Sequence, residues 1–218
     1  MERSEREHRQ AMADAFARLG AERLGPPTAA SLAVRSGGGL LVTPADAGRA
    51  ALAGHDMVAL DAEGCFSADH RPAPEWRLHR GLLAGREGVD AVLQCQSPAA
   101  TALACLGRPL PAFHPRVALA GRHDVPLAAH AGFATDALAT AVLAVLGPGR
   151  ACLMAHHGLV VLSASPDEAV TLAAEIEALG ASYLTACAVG EPPTLPGDDM
   201  DAALAKFARL HDGLDPLD

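Results

Sequence analysis

An α/β fold, with strands and helices intermixed along one chain, is what this sequence predicts. Three observations carry that reading. Short apolar runs at 31–35, 40–43, 57–61, 90–96, 151–155 and 159–162 have strand length and alternate with helical stretches. The run at 31–43 doubles back through Gly37-Gly38-Gly39, a turn that needs permissive backbone angles. Residues 166–189 carry Ala169, Leu172, Ala173, Ile176 and Tyr183 along one helical face.

The elements follow in order. A helix over 5–24 has Ala11, Ala15, Leu19 and Leu24 near helical spacing, and Pro26-Pro27 stops it. The hairpin at 31–43 and a strand at 57–61 come next. Pro74 starts a helix that continues through Leu83. The strand at 90–96 alternates, so Gln94 and Gln96 share a face and Cys95 points the other way. Ser97 as N-cap and Pro98 at the first helical position open a helix to about residue 106. Residues 107–132 read as loop and short strand, and 135–146 as a helix with Leu138, Val142 and Val145 inward. Two strands then flank His156-His157-Gly158. Ser165, with Glu168 three residues on, forms a capping-box pattern before the long helix. A last helix covers about 199–210. No repeat or low-complexity linker interrupts the chain, so a single domain over residues 1–218 is expected.

Composition narrows the function. The net charge is −9, and no Lys/Arg cluster offsets it, which argues against nucleic-acid and anionic-membrane partners. Aromatics are 3%, leaving little surface for stacking bases. The first ten residues are too charged for a secretory signal, and no apolar run approaches the roughly 20 residues that span a bilayer. Cys65, Cys95, Cys105, Cys152 and Cys187 are scattered and odd in number, as expected of reduced thiols in the cytoplasm. The expectation is a cytoplasmic protein with a small-molecule substrate.

Several segments, in order, carry a resemblance. Pro74-Glu75-Trp76-Arg77-Leu78-His79, the stretch from Ala91 through Gln94-Cys95-Gln96-Ser97-Pro98 to Ala104, Leu153-Met154-Ala155-His156-His157-Gly158, and the hairpin from Thr28 to Pro44 are similar to the motifs of the class II aldolase/adducin family, within its sugar-phosphate aldolases. The similarity runs almost end to end. It implies a three-layer α/β/α fold around a central, mainly antiparallel sheet. It also implies a homotetramer with active sites near subunit boundaries.

The resemblance assigns roles residue by residue. Glu75 matches the catalytic carboxylate, and His157 matches the third zinc histidine. Gln94 and Gln96 stand where the family has its His-x-His zinc pair. Read alone, Glu75 is a solvated glutamate at a helix start and His157 a histidine bonded in a turn; the resemblance turns both toward a pocket. Amide oxygens are hard, weak donors that hold zinc poorly. The two glutamines therefore line the pocket, or hydrogen-bond within a former metal site, and no metal or other cofactor is expected. The phosphate site is altered too. Ala30-Ser31 replaces a Gly-Asn, Ala45-Asp46 adds a carboxylate, and Ala73-Pro74 replaces a Ser-Ser and loses an N–H donor. Thr28 is retained.

Three functions follow. The first is a repurposed small-molecule enzyme performing zinc-independent proton-transfer or lyase-type chemistry on a non-phosphorylated carbonyl compound. Glu75 and His157 would be catalytic, with Thr28, Gln94 and Gln96 binding substrate. The second is a metal-dependent sugar-phosphate aldolase or epimerase that recruits other ligands, such as His114 or His156. The third is a non-catalytic, adducin-like binding or scaffolding protein.

Overall fold

A computed structural model describes residues 5–48, 50–67, 70–84 and 86–211. Helix α1 (Glu5–Ala21) leads through a turn at Pro27–Ala29 into β1 (Ser31–Ser36) and β2 (Gly39–Val42), followed by β3 (Val58–Leu60) and α2 (Trp76–Leu83). Then come β4 (Ala91–Cys95), α3 (Pro98–Cys105), β5 (Leu127–Ala128) and α4 (Asp136–Leu146). The chain ends with β6 (Ala151–Met154), β7 (Gly158–Ser163), α5 (Pro166–Cys187) and α6 (Gly197–His211). The first four residues of the charged opening and the tail after residue 211 lie outside the described residues.

The strands form one sheet in the order β3-β2-β1-β4-β7-β6-β5. Neighbours are antiparallel except β5 and β6, which are parallel. Central strands are buried on both faces, as their near-continuous Ala/Val/Leu runs require. Their alternation feeds two cores. Leu32, Leu93, Cys95, Leu159 and Val161 pack with α1, α3 and α5. Ala33, Val92, Val160 and Leu162 pack with Leu78 and Leu82 of α2 and Leu138 and Val142 of α4. The result is the expected α/β/α sandwich. Each buried Leu or Val in these layers contributes about 1.5–3 kcal/mol.

The termini of α5 and α2 illustrate local causes. Ser165 Oγ accepts from the Glu168 amide at 3.3 Å, and Glu168 Oε2 accepts from the Ala164 amide at 3.2 Å, a capping arrangement displaced by one residue at its return arm. Helix α2 begins two residues later than Pro74. A turn from Ala73 to Trp76, closed at 3.0 Å, intervenes and makes Glu75 the residue before the first helical position. The N-terminus of α3 receives its acceptor from another helix. Both carboxylate oxygens of Glu177 on α5 accept from the Ala99 and Ala100 amides, at 2.8 and 3.0 Å. This pins α3, and with it the end of β4, against α5.

Candidate active site

Strand β4 sits between β1 and β7, with Ser31 opposite Gln94 and Cys95 opposite Leu159. The ends of three strands therefore meet: the start of β1, the end of β4 and the start of β7. Gly158 makes that meeting possible. Its φ is +92°, and a Cβ there would lie 2.5 Å from the Cys95 carbonyl oxygen, so any other residue would force β4 and β7 apart.

Gln94 is 4% exposed and bonded at both ends of its amide. Its Nε2 donates to the His157 carbonyl at 3.3 Å. A carbonyl only accepts, which fixes the amide's orientation. Its Oε1 accepts from Ser31 Oγ at 3.4 Å. Ser31 Oγ in turn lies 2.8 Å from His79 Nε2. With its proton directed to Gln94, the hydroxyl accepts from a His79 Nε2–H. His79 is fully buried, and burial pushes its pKa down to about 3, so it is neutral. Its Nδ1 has no hydrogen-bond partner. The chain of contacts runs from the α2 core through Ser31 and Gln94 to the backbone of His157.

Glu75 lies one turn before His79, its carbonyl accepting from the His79 amide at 3.1 Å. Its carboxyl is held above the usual carboxylate range, chiefly by burial. A bond from its own amide and the charge of His157 pull the other way. His157 is half-buried at the start of β7 and its Nε2 lies 2.8 Å from the Ala131 carbonyl oxygen. Glu75 and His157 thus fall within electrostatic reach of each other, while Gln94 holds the latter's backbone. Gln96, one residue beyond β4, is exposed, and Cys95 packs into the opposite core layer as the alternation requires. Thr28 is exposed on the turn at Pro27–Ala29, against which the 45–48 turn packs closely at Gly48.

Three residues of this neighbourhood were missed by sequence reasoning in their present roles. Ser31 was noted only as a departure at the phosphate site, and its partners depend on the β1–β4 register. His79 belonged to a matched segment but carried no role. His130, in the loop after β5, stacks on His157 with ring centroids 5.3 Å apart. A lone histidine in a loop gives no sequence signal of that contact.

The donor set does not fit zinc of the kind the family resemblance implies, which asks for neutral imidazoles around an open position. Among Glu75, Gln94, Gln96 and His157 there is one imidazole, and its Nε2 is committed to the Ala131 carbonyl. The Gln94 oxygen is committed to Ser31. His114 Nδ1 accepts from the Arg116 amide at 3.1 Å, and His156 is exposed with φ +63°. Among the described residues no three His, Cys, Asp or Glu side chains converge as a metal site.

A cavity of about 540 Å³ lies elsewhere, lined by Val89, Arg150, Ser163, Glu168 and Phe207 among others. These residues flank the opposite ends of β4, β6 and β7. Its charged groups are already engaged, Arg150 with the Leu119 carbonyl and Glu168 with the Ala164 amide. The chemistry-bearing residues are at the other end of the strands, and the site is placed there.

Comparison with known proteins agrees with this architecture. The model of the Class II Aldolase and Adducin N-terminal domain matches residues 10–184. The 5-methylthioribulose-1-phosphate/5-deoxyribulose-1-phosphate aldolase of Rhodospirillum rubrum is 40% identical over 94% of this chain and 92% of its own. The L-fuculose phosphate aldolase of Escherichia coli K12 is 34% identical over 83% of this chain and 84% of its own. A solved L-fuculose 1-phosphate aldolase superposes with a TM-score of 0.88 at 28% identity, covering 95% of this chain and 98% of that one. The chain belongs to the class II aldolase/adducin family.

Proposed function

We propose that this chain performs zinc-independent proton-transfer or lyase-type chemistry on a small, non-phosphorylated carbonyl compound. The observation that carries the reading is Glu75, a half-buried carboxyl held above its usual range within the field of His157. Such a carboxylate is basic enough to take a proton from the carbon beside a carbonyl. An imidazolium at His157 would give its proton to the developing oxyanion, and both protons return as product forms. Gln96 and Thr28, both exposed, are suited to bind substrate hydroxyls, and buried Gln94 completes the substrate-binding set.

The loops around Thr28 support a substrate without phosphate. The amides of Ala45, Ala47 and Ala73 donate to the carbonyls of Arg71, Pro44 and Thr43, at 2.8, 3.1 and 2.9 Å. Pro74 has no amide hydrogen, and Asp46 is exposed nearby. A phosphate dianion needs free donors and no neighbouring carboxylate. The assembly that accompanies this reading is a cytoplasmic homotetramer, each subunit one domain over residues 1–218; sedimentation of a stable monomer would refute it.

A second reading, sugar-phosphate cleavage with recruited metal ligands, is favoured by the 40% identity to the Rhodospirillum rubrum aldolase. One preparation separates the two. Protein purified without an affinity tag is subjected to elemental analysis. It is then assayed by NMR for α-proton exchange of small hydroxyketones in D2O with a chelator present. Exchange that persists with chelator and is lost in Glu75→Gln supports the proposal. One zinc per chain, with chelator-sensitive cleavage of 5-methylthioribulose 1-phosphate or fuculose 1-phosphate, establishes the second reading instead.

A further inference from the structure

The loop after β5 and the turn between β6 and β7 clasp each other through two imidazoles. His157, from the turn, places Nε2 2.8 Å from the Ala131 carbonyl oxygen of the loop. His130, from the loop, places Nδ1 3.4 Å from the Ala155 carbonyl oxygen of the turn. Each histidine reaches a carbonyl carried by the other's segment. Carbonyl oxygens only accept, so the proton of each neutral ring sits on the nitrogen that faces the carbonyl. The two rings are parallel within 6°, with centroids 5.3 Å apart, and His156 meets His130 edge-on at 5.6 Å. The segments are brought together by the parallel pairing of Ala128 with Met154 and by the Ala155 amide donating to the Ala128 carbonyl at 3.1 Å. The backbone of His157 is pinned as well. Its amide donates to the Met154 carbonyl at 2.8 Å, and its carbonyl accepts from Gln94 at 3.3 Å.

We propose that His130 is a positioning residue for His157: its parallel ring keeps the His157 imidazole in the plane where Nε2–H meets the Ala131 carbonyl, and that bond leaves Nδ1 as the only lone-pair nitrogen the ring offers. The His130 bond to Ala155 is long, so the ring face carries most of the effect. A proton gained at Nδ1 then leaves the bond to Ala131 intact, and the ring need not turn before handing the proton on. Such fixing of one tautomer by the bond at the other nitrogen is how an imidazole is prepared for directed proton transfer. The inference rests on the preceding reading only in treating His157 as a reacting group.

The test reads the tautomer and uses no substrate. The full chain, labelled with ¹⁵N-histidine, is examined by two-bond ¹H–¹⁵N correlation at a pH where His157 is neutral, its signals identified by their loss in His157→Gln. Wild-type protein is expected to show a protonated Nε2 and a lone-pair Nδ1. His130→Ala should replace that pattern with the average of two tautomers, and His130→Phe, which keeps a ring face, should restore it. A wild-type His157 that is Nδ1-protonated or averaged overturns the proposal, as does a His130→Ala spectrum identical to wild type. The wild-type spectrum can overturn the proposal by itself, and if His130→Ala does not fold, a His130→Phe spectrum that loses the wild-type pattern overturns it as well. Failure of Glu75→Gln to abolish α-proton exchange would sink the functional reading and leave the tautomer result standing.

Discussion

Gln94 and Gln96 are two residues apart at the same strand end, yet they belong to different parts of the molecule. Gln94 is 4% exposed, and its amide joins Ser31 to the His157 backbone. Gln96 lies past the last paired residue of β4 and is exposed. The inner glutamine has become a strut in a sealed network that begins at His79. The outer one is open to solvent. An identical side chain is therefore a packing element at one position and a candidate contact for substrate at the other, and the difference comes from where β4 stops pairing.

The largest expected effect lies at the inner end. His79 has its pKa pushed down to about 3 by burial, whereas in the unfolded chain it titrates near the ordinary value of about 6.5. Between those limits the unfolded state takes up a proton that the folded state refuses. Stability therefore falls as pH drops through that window, by up to about 1.4 kcal/mol per pH unit. Urea unfolding of His79→Leu as a function of pH should show a flatter acid limb. An unchanged slope would mean that His79 is not sealed as the network requires.

Next comes the contrast between the glutamines themselves. Gln94→Leu leaves the His157 carbonyl without its amide donor and removes the acceptor for Ser31, and should cost about 2 kcal/mol. Gln96→Leu should stay within about 0.5 kcal/mol, as exposed positions do. Chemical denaturation of the two variants decides the point; equal costs would break the comparison.

The smallest effect is at Glu75. Its folded carboxyl titrates above the ordinary range, so the folded chain retains a proton that the unfolded chain has released. Relative stability from this group is present at low pH and lost as pH rises through the folded value. Glu75→Gln escapes that loss. It should melt slightly higher than wild type at pH 8, with no gain at pH 4, while losing proton-transfer activity. A variant that melts lower at pH 8 would show that the carboxylate is held by favourable contacts, not strained by burial.

Much of this fold was legible because local rules agreed. The Ser165–Glu168 capping pattern and Pro166 placed the start of α5 correctly, and Pro98 did the same for α3. Alternation correctly sent Cys95 away from Gln94. The start of α2 was read two residues early, because a proline that suits the first helical turn also suits the tight turn that precedes Glu75 here. The partners in the site were much less visible. Ser31, His79 and Gln94 are far apart in sequence and meet only through the β1–β4 register and the seating of α2. His130 reaches His157 only because β5, a strand of two residues, pairs in parallel with β6. Neither event has a local signature.

The shortness of β5 has another consequence. The two outermost strands are β3, with three residues, and β5, with two, and a bridge from Leu60 to Phe66 also covers part of the β3 side. A sheet edge recruits another chain through its row of unpaired amides and carbonyls. Here the long, apolar strands are all interior, and the margins present too few free groups in a row to template a neighbour. Any association between copies of this chain would therefore run through helices and loops, and crowding the protein should not extend its sheet into fibres.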